Sequence, residues 1–179
     1  MLVDADEPTF DAIERTLRRR RFATLASTTK DGRPHATGVV YAVSPPGEPF
    51  RLYVTTNVRN KKIANIRANP DVALVVPLSR PVFTGLPPAC IQFQAVAEVV
   101  DETDAGALQA FRSSWFLRTI LRTEHHIVAE GGRICFVRIT PDPVVFTYGF
   151  GMSLLTLRRH AGKGARRVPI PAGRVGRSA

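Results

Sequence analysis

LYVTTNVRNKKIANIRANPDVALVV, residues 52–76, reads as strand, turn, short helix and strand in succession. The β-type run Leu52 to Thr56 stops at a polar turn. A helix predicted over roughly 59–68 opens with Arg59, Asn60, Lys61 and Lys62. It ends before Asn69-Pro70, because a proline pushes the residue before it out of helical backbone. A second apolar run, Val72 to Val76, follows. A helix N-terminus presents unpaired N–H groups and a partial positive charge, so it seats anions. Cations crowded at that end oppose the helix dipole unless an anion joins them. With the hydroxyls of Thr55 and Thr56 alongside, the stretch reads as a seat for an anionic ligand, in the first instance a phosphorylated cofactor.

Working outward, Phe10 to Arg21 reads as a helix, with Phe10, Ile13 and Leu17 at helical spacing and a basic end that suits a C-terminus. A β-meander follows. Phe22–Thr29 alternates, Lys30-Asp31-Gly32-Arg33 is a hairpin turn with Asp-Gly at its centre, and Pro34–Val43 returns. Pro45-Pro46-Gly47 turns the chain into a third strand over 50–56. Residues 77–89 are too rich in proline for helix or central strand. Cys90–Val100 is strand-like, and Thr103–Arg122 reads as one helix whose apolar face holds Phe111, Trp115 and Phe116 as core residues. Strands are predicted at 133–140 and 144–148, and one more short helix at 152–160. Hairpins with only two inserted helices predict a mainly β protein with helices, a small antiparallel barrel; a doubly wound sheet would need regular strand–helix alternation.

The bulk numbers fit that picture. The chain has 179 residues, 44% apolar and 22% charged, which suits one folded domain, or one domain and a tail. Its net charge of +10 is uneven, because seven cations and no acid follow Asp142; residues 1–142 carry only +3. The expected division is a barrel domain over 1–160 and a basic flexible tail or dimer arm over 161–179. No apolar run reaches the ~20 residues that cross a bilayer, and the acidic start MLVDADEPTF lacks a signal core. A cytoplasmic protein with reduced Cys90 and Cys135 is the expectation. Glu124-His125-His126 has no third ligand at sensible spacing, so no metal is expected. Gly131, Gly132, Gly149 and Gly151 mark turns and form no dinucleotide-binding pattern. His35 and Tyr41 read as ordinary residues of the second strand.

Three segments in order carry a resemblance: RFATLASTTKDGRPHATGVVYAV, then FRLYVTTNVRNKKIANIRANPDVALVV, then IQFQAVAEVVDE. Together they resemble the split-β-barrel flavoproteins grouped with pyridoxamine 5′-phosphate oxidase, a group that includes deazaflavin-dependent oxidoreductases. The resemblance covers roughly residues 10–140. It implies a homodimer with two flavins at the subunit interface, the flavin being FMN or the deazaflavin coenzyme F-420. It also implies a phosphate held by Thr55 or Thr56 and by the helix-opening cluster Asn60, Lys61 and Lys62, beside Arg59. The strand Ala36–Tyr41 would line the flavin ring. The basic strand motif of true pyridoxamine-phosphate oxidases is replaced by TGVVYA, so vitamin B6 oxidation is not expected.

The function these readings favour is a flavin-dependent oxidoreductase acting on a small-molecule substrate. The flavin carries the hydride chemistry, which suits a chain with no Ser-His-Asp or paired-carboxylate set. Residues 78–89 and 111–122 are the expected pocket rim, and Arg80 and the C-terminal arginines are candidate contacts for a longer anionic cofactor. One alternative is a haem- or tetrapyrrole-binding barrel using His35, His125, His126 or His160. Another is a nucleic-acid module using the basic tail, disfavoured because the tail has no aromatic residue for base stacking.

Overall fold

A computed structural model describes residues 7–78, 89–128, 133–152, 162 and 164–176, the side chains of 124–128 excepted. Helix α1 spans Phe10–Arg19, and strands β1, β2 and β3 span Phe22–Thr28, Pro34–Val43 and Leu52–Asn57. Helix α2 is Lys61–Ala68, followed by β4 (Asp71–Leu78) and β5 (Ala89–Asp101). Helices α3 (Ala105–Arg112) and α4 (Trp115–Val128) precede β6 (Ile134–Pro141), β7 (Val144–Tyr148) and β8 (Ala165–Pro169).

All strand pairs are antiparallel, in the order β4-β1-β2-β3-β6-β5, and β4 also pairs with β5. Six strands thus close into the expected barrel, and β7 and β8 extend the sheet from β5. Period-two alternation fills the interior. Leu25, Val39, Leu52, Val54, Leu74, Ile91, Val137 and Ile139 point inward and are buried. Burying each such side chain contributes roughly 1.5–3 kcal/mol.

Helix α1 packs Phe10, Ile13 and Leu17 onto this core, with Phe10 edge-on to Phe50 at 5.1 Å. Thr9 caps it, its hydroxyl accepting from the Ala12 N–H at 3.3 Å. Helix α2 packs against β1 and β5 through Ile63 and Ile66. Asn65 is buried beside them, and its Nδ2 donates to Ser27 Oγ at 3.1 Å.

Helices α3 and α4 cover the outside of β2, β3 and β6. Ala107, Phe111 and Leu117 meet Ala42, Tyr53 and Phe136 in a second apolar cluster. Gly106 lets α3 come close, since a Cβ there would lie 2.5 Å from the Tyr53 hydroxyl. This doubly covered wall explains why five successive residues of β3, Leu52 to Thr56, are all buried.

Several expectations are corrected. The single helix predicted over 103–122 is two, because Ser114 restarts the chain: its Oγ accepts from the Leu117 N–H at 3.2 Å. Phe111 is core as expected, but Trp115 is 72% exposed and Phe116 is exposed as well. The segment expected as a flexible tail is in part a strand. β8 pairs with β7 from Val144↔Pro169 to Tyr148↔Ala165, and Val168 and Ile170 join the main core. Two apolar residues in a basic, Gly- and Pro-rich stretch give no periodic signal, yet both reach the barrel. The helix predicted at 152–160, apart from its first residue, the loop residues 79–88 and His160 lie outside the described residues. No described helix is long and apolar enough to cross a membrane.

Candidate functional site

The ladder between β2 and β3 runs only from Tyr41↔Val54 to Val43↔Leu52. Beyond it the N-terminal half of β2 stays with β1, and Thr55–Asn57 stay with β6. The barrel wall therefore divides where β3 hands over to α2, and the predicted seat stands at this split.

Alternation assigns the two threonines to opposite faces. Thr56 follows Leu52 and Val54 inward, whereas Thr55 follows Tyr53 toward the α3–α4 layer. Thr56 Oγ1 accepts from Asn60 Nδ2 at 2.7 Å and from Lys62 Nζ at 3.0 Å. Thr55 Oγ1 is buried with no hydrogen-bond partner. Thus Thr56, Asn60 and Lys62 form one cluster and Thr55 stands apart from it. Sequence reasoning left the two threonines equivalent.

Asn60 occupies the cap position of α2 in extended backbone, but its side chain makes no cap bond because it is turned to Thr56. The Asn57 carboxamide shapes the turn, its Oδ1 accepting from the Arg59 N–H at 2.9 Å. The first turn of α2 contains no acidic residue, and Arg59 and Lys61 project into solvent. The result is a set of donors and cations at a helix start without a carboxylate. That donor chemistry fits a phosphate, which supplies only acceptor oxygens.

Behind Thr56 lies Cys135, whose Sγ is 3.7 Å from the Thr56 carbonyl oxygen. Burial pushes this thiol up, against the lowering fields of Arg67 and Lys62. It belongs to a cleft of about 320 Å³ with Val58, Arg67, Val99, Asp101 and Arg133. Arg67 and Arg133 are cations that sequence reading did not single out, since neither lies in the helix-opening cluster. Tyr41 is packed in the core, where burial raises its phenol well above the usual range; its hydroxyl donates to the Leu17 carbonyl at 3.0 Å. His35 faces the interior, opposite Ser27, and its Nδ1 is buried without a partner. No group of three metal-ligating side chains occurs among the described residues, and Arg80 and the side chains of His125 and His126 lie outside them.

The fold and site together define a split-barrel protein with a cationic helix start at the split. Residues 9–147 match the profile of the family described as pyridoxamine 5′-phosphate oxidase, and the chain belongs to that family. No curated protein matches it. Among solved structures it is similar to HutZ, the heme storage protein of Vibrio cholerae, at 19% identity and a TM-score of 0.60, over 81% of this chain and 98% of that one. It is similar to a conserved hypothetical protein of Mycobacterium tuberculosis at 25% identity and a TM-score of 0.58, over 79% and 86% of the two chains. It is also similar to a FAD-binding protein of Mesorhizobium loti at 26% identity and a TM-score of 0.54, over 77% and 92%.

Proposed function

We propose that the chain is a flavin-dependent oxidoreductase whose cofactor phosphate sits at the start of α2, held by Thr56, Asn60, Lys61 and Lys62 with Arg59 alongside. The observation that carries this reading is the convergence of Asn60 Nδ2 and Lys62 Nζ on Thr56 Oγ1 beside a helix start free of acids. The bound flavin would supply hydride transfer. Lys62, half-buried and already positioned, would give a fixed charge to the phosphate. Lys61 and Arg59 would add screened charge from the surface. The similarity to a FAD-binding protein supports the flavin class and leaves FMN against the deazaflavin coenzyme to experiment.

The reading includes a homodimer that shares small-molecule sites between subunits. Supporting it is the middle of the outer face of β2, β1, β4 and β5, which bears Ala36, Gly38, Phe22, Thr24, Ala26, Ala73, Val75, Cys90 and Gln92, with the charges Asp71 and Glu98 farther along β4 and β5. Phe22 is 54% exposed there, its ring lying across Gly38. An exposed apolar face of this kind marks an interaction surface.

The deciding experiment is an absorbance spectrum of the purified protein, followed by titration with FMN and with the deazaflavin coenzyme. Bound flavin is expected, and Lys61→Ala with Lys62→Ala is expected to abolish its retention while leaving the far-UV spectrum native. Full flavin occupancy in that double variant refutes the seat. A second reading is haem binding, since HutZ has this fold and His35 carries an unpartnered buried nitrogen. A Soret band with no flavin absorbance would select it.

A further inference from the structure

We propose that the corner where the end of α1 meets the start of α4 docks on an anionic lipid surface, with Trp115 entering the headgroup layer and the arginines around it meeting lipid phosphates. Leu117 is buried in the second apolar cluster, and Ile120 and Leu121 pack against it, so these three seat α4 on the barrel. Trp115 lies on the opposite side of the helix and is 72% exposed, and Phe116 beside it is exposed as well. A single exposed apolar residue needs no partner. Two adjacent large aromatics at an arginine-rich corner mark an interaction surface.

The charge around these rings has one sign. Helical spacing sets Arg118 and Arg122 one and two turns beyond Trp115, on the same exposed stripe. The end of α1 stands beside them. Arg21 donates to Ser114 Oγ, and its guanidinium lies 5.6 Å over the Phe116 ring. Arg20 is exposed and lines the same hollow as Ser113 and Leu117. Residues 15–21 and 112–123 together hold eight arginines and not one acid. Glu14, which precedes the first group, is turned to Arg18 and Arg174. An anionic leaflet attracts each such cation within about a Debye length. Arginine suits the task, because its stem rests on apolar groups while the guanidinium forks onto a phosphate.

A lipid surface fits this patch better than a nucleic acid does. Single-stranded nucleic acid is held by successive bases stacked on open aromatic faces along a groove. Here Arg21 already covers one face of Phe116, which leaves Trp115 as the open ring. An indole with an apolar body and one N–H donor is suited to the headgroup level of a bilayer. One apolar anchor binds a membrane only marginally, so insertion and charge have to act together, and this corner supplies both. The contact is with the surface, since no described helix is long and apolar enough to cross.

Trp115 is the one tryptophan of the chain, so its emission reports this corner. The full chain as purified is mixed with vesicles of phosphatidylcholine alone and of phosphatidylcholine with phosphatidylglycerol. Co-sedimentation with the anionic vesicles is expected, with a blue shift of the Trp115 emission and release at raised salt. Arg118→Gln and Arg122→Gln, both at exposed positions, are each expected to weaken the partition about fivefold, the share of one cation at an anionic surface. Trp115→Ala is expected to weaken it about tenfold by co-sedimentation, from the lost apolar burial. Because Trp115 is exposed, the far-UV spectrum of that variant should stay native. Binding to neither vesicle, equal binding to both, or a Trp115→Ala chain that sediments like wild type overturns the proposal. Emission already blue-shifted in buffer and moving to the red on dilution would assign the corner to a second copy of the chain. Quenching by single-stranded DNA that anionic vesicles do not reproduce would assign it to nucleic acid, and either result overturns the lipid surface. Co-sedimentation does not depend on whether a flavin is bound at α2.

Discussion

Arg174→Ala tests whether the C-terminal segment is part of the fold. Its guanidinium donates through Nη2 to Glu14 Oε1 at 2.8 Å and through Nε to the Glu48 carbonyl at 2.6 Å. It also lies 6.0 Å over the Phe10 ring, and its carbonyl accepts from the Phe50 N–H at 2.7 Å. The substitution leaves the backbone bond and removes the rest. A charged hydrogen bond contributes about 1.5–3 kcal/mol, and an exposed cation–π contact about 0.5–1 kcal/mol. Glu14 is 9% exposed at its side chain but keeps Arg18, so it is not left as a lone buried charge. The expected loss is therefore about 2–3 kcal/mol, below the ~3–5 kcal/mol of a buried pair broken to leave one ion unpaired. Urea unfolding should show a lower midpoint at unchanged slope. A loss under about 0.5 kcal/mol, the range of an ordinary surface substitution, would refute the argument that Arg174 ties the segment down.

Other outcomes follow from the same geometry. Burial acts to raise the Glu14 pKa, but the hydrogen bonds and charges of Arg174 and Arg18 outweigh it and hold the carboxyl below its ordinary value. Its stabilisation is therefore present above the unfolded-state pKa and lost as pH falls through the lower folded-state value. Acid-unfolding curves of wild type and Glu14→Gln should converge at low pH, and a constant gap would count against the assignment. Thr56→Val is expected to cost about 2 kcal/mol by removing the acceptor of Asn60 and Lys62, while Thr55→Val, replacing an unpartnered buried hydroxyl, should be neutral or slightly stabilising. Equal costs by urea unfolding would show that the two side chains are not on different faces as described. Phe22→Glu should yield a folded monomer in sedimentation, and an unchanged mass would remove the sheet face around Phe22 from the dimer reading.

Much of the barrel was legible because its signals are local. Asp31-Gly32 and Pro45-Pro46-Gly47 punctuate the meander, and alternation in 22–28 and 71–78 marks half-buried strands. The helix start at Lys61 was legible for the same reason, as cations gathered where a dipole disfavours them. Trp115 was misread because apolar spacing gives the width of a helix's stripe without saying how much of it a neighbour covers. Phe111 found Phe136 at 5.5 Å, while Trp115 found solvent.

The sequence by itself determined the strand order along the chain, the helix inserted after β3 and the cationic cluster of residues 59–62. Periodicity, turn chemistry and charge at a helix end act between near neighbours, so each can be read from a short window. Tertiary structure alone decided that Thr56 rather than Thr55 meets Asn60 and Lys62, since alternation separates two faces without naming which is inside until the barrel closes. It also decided that Val168 and Ile170 dock on the core and that Arg174 reaches Glu14. Those contacts join residues far apart in sequence, and only the closed sheet brings them together.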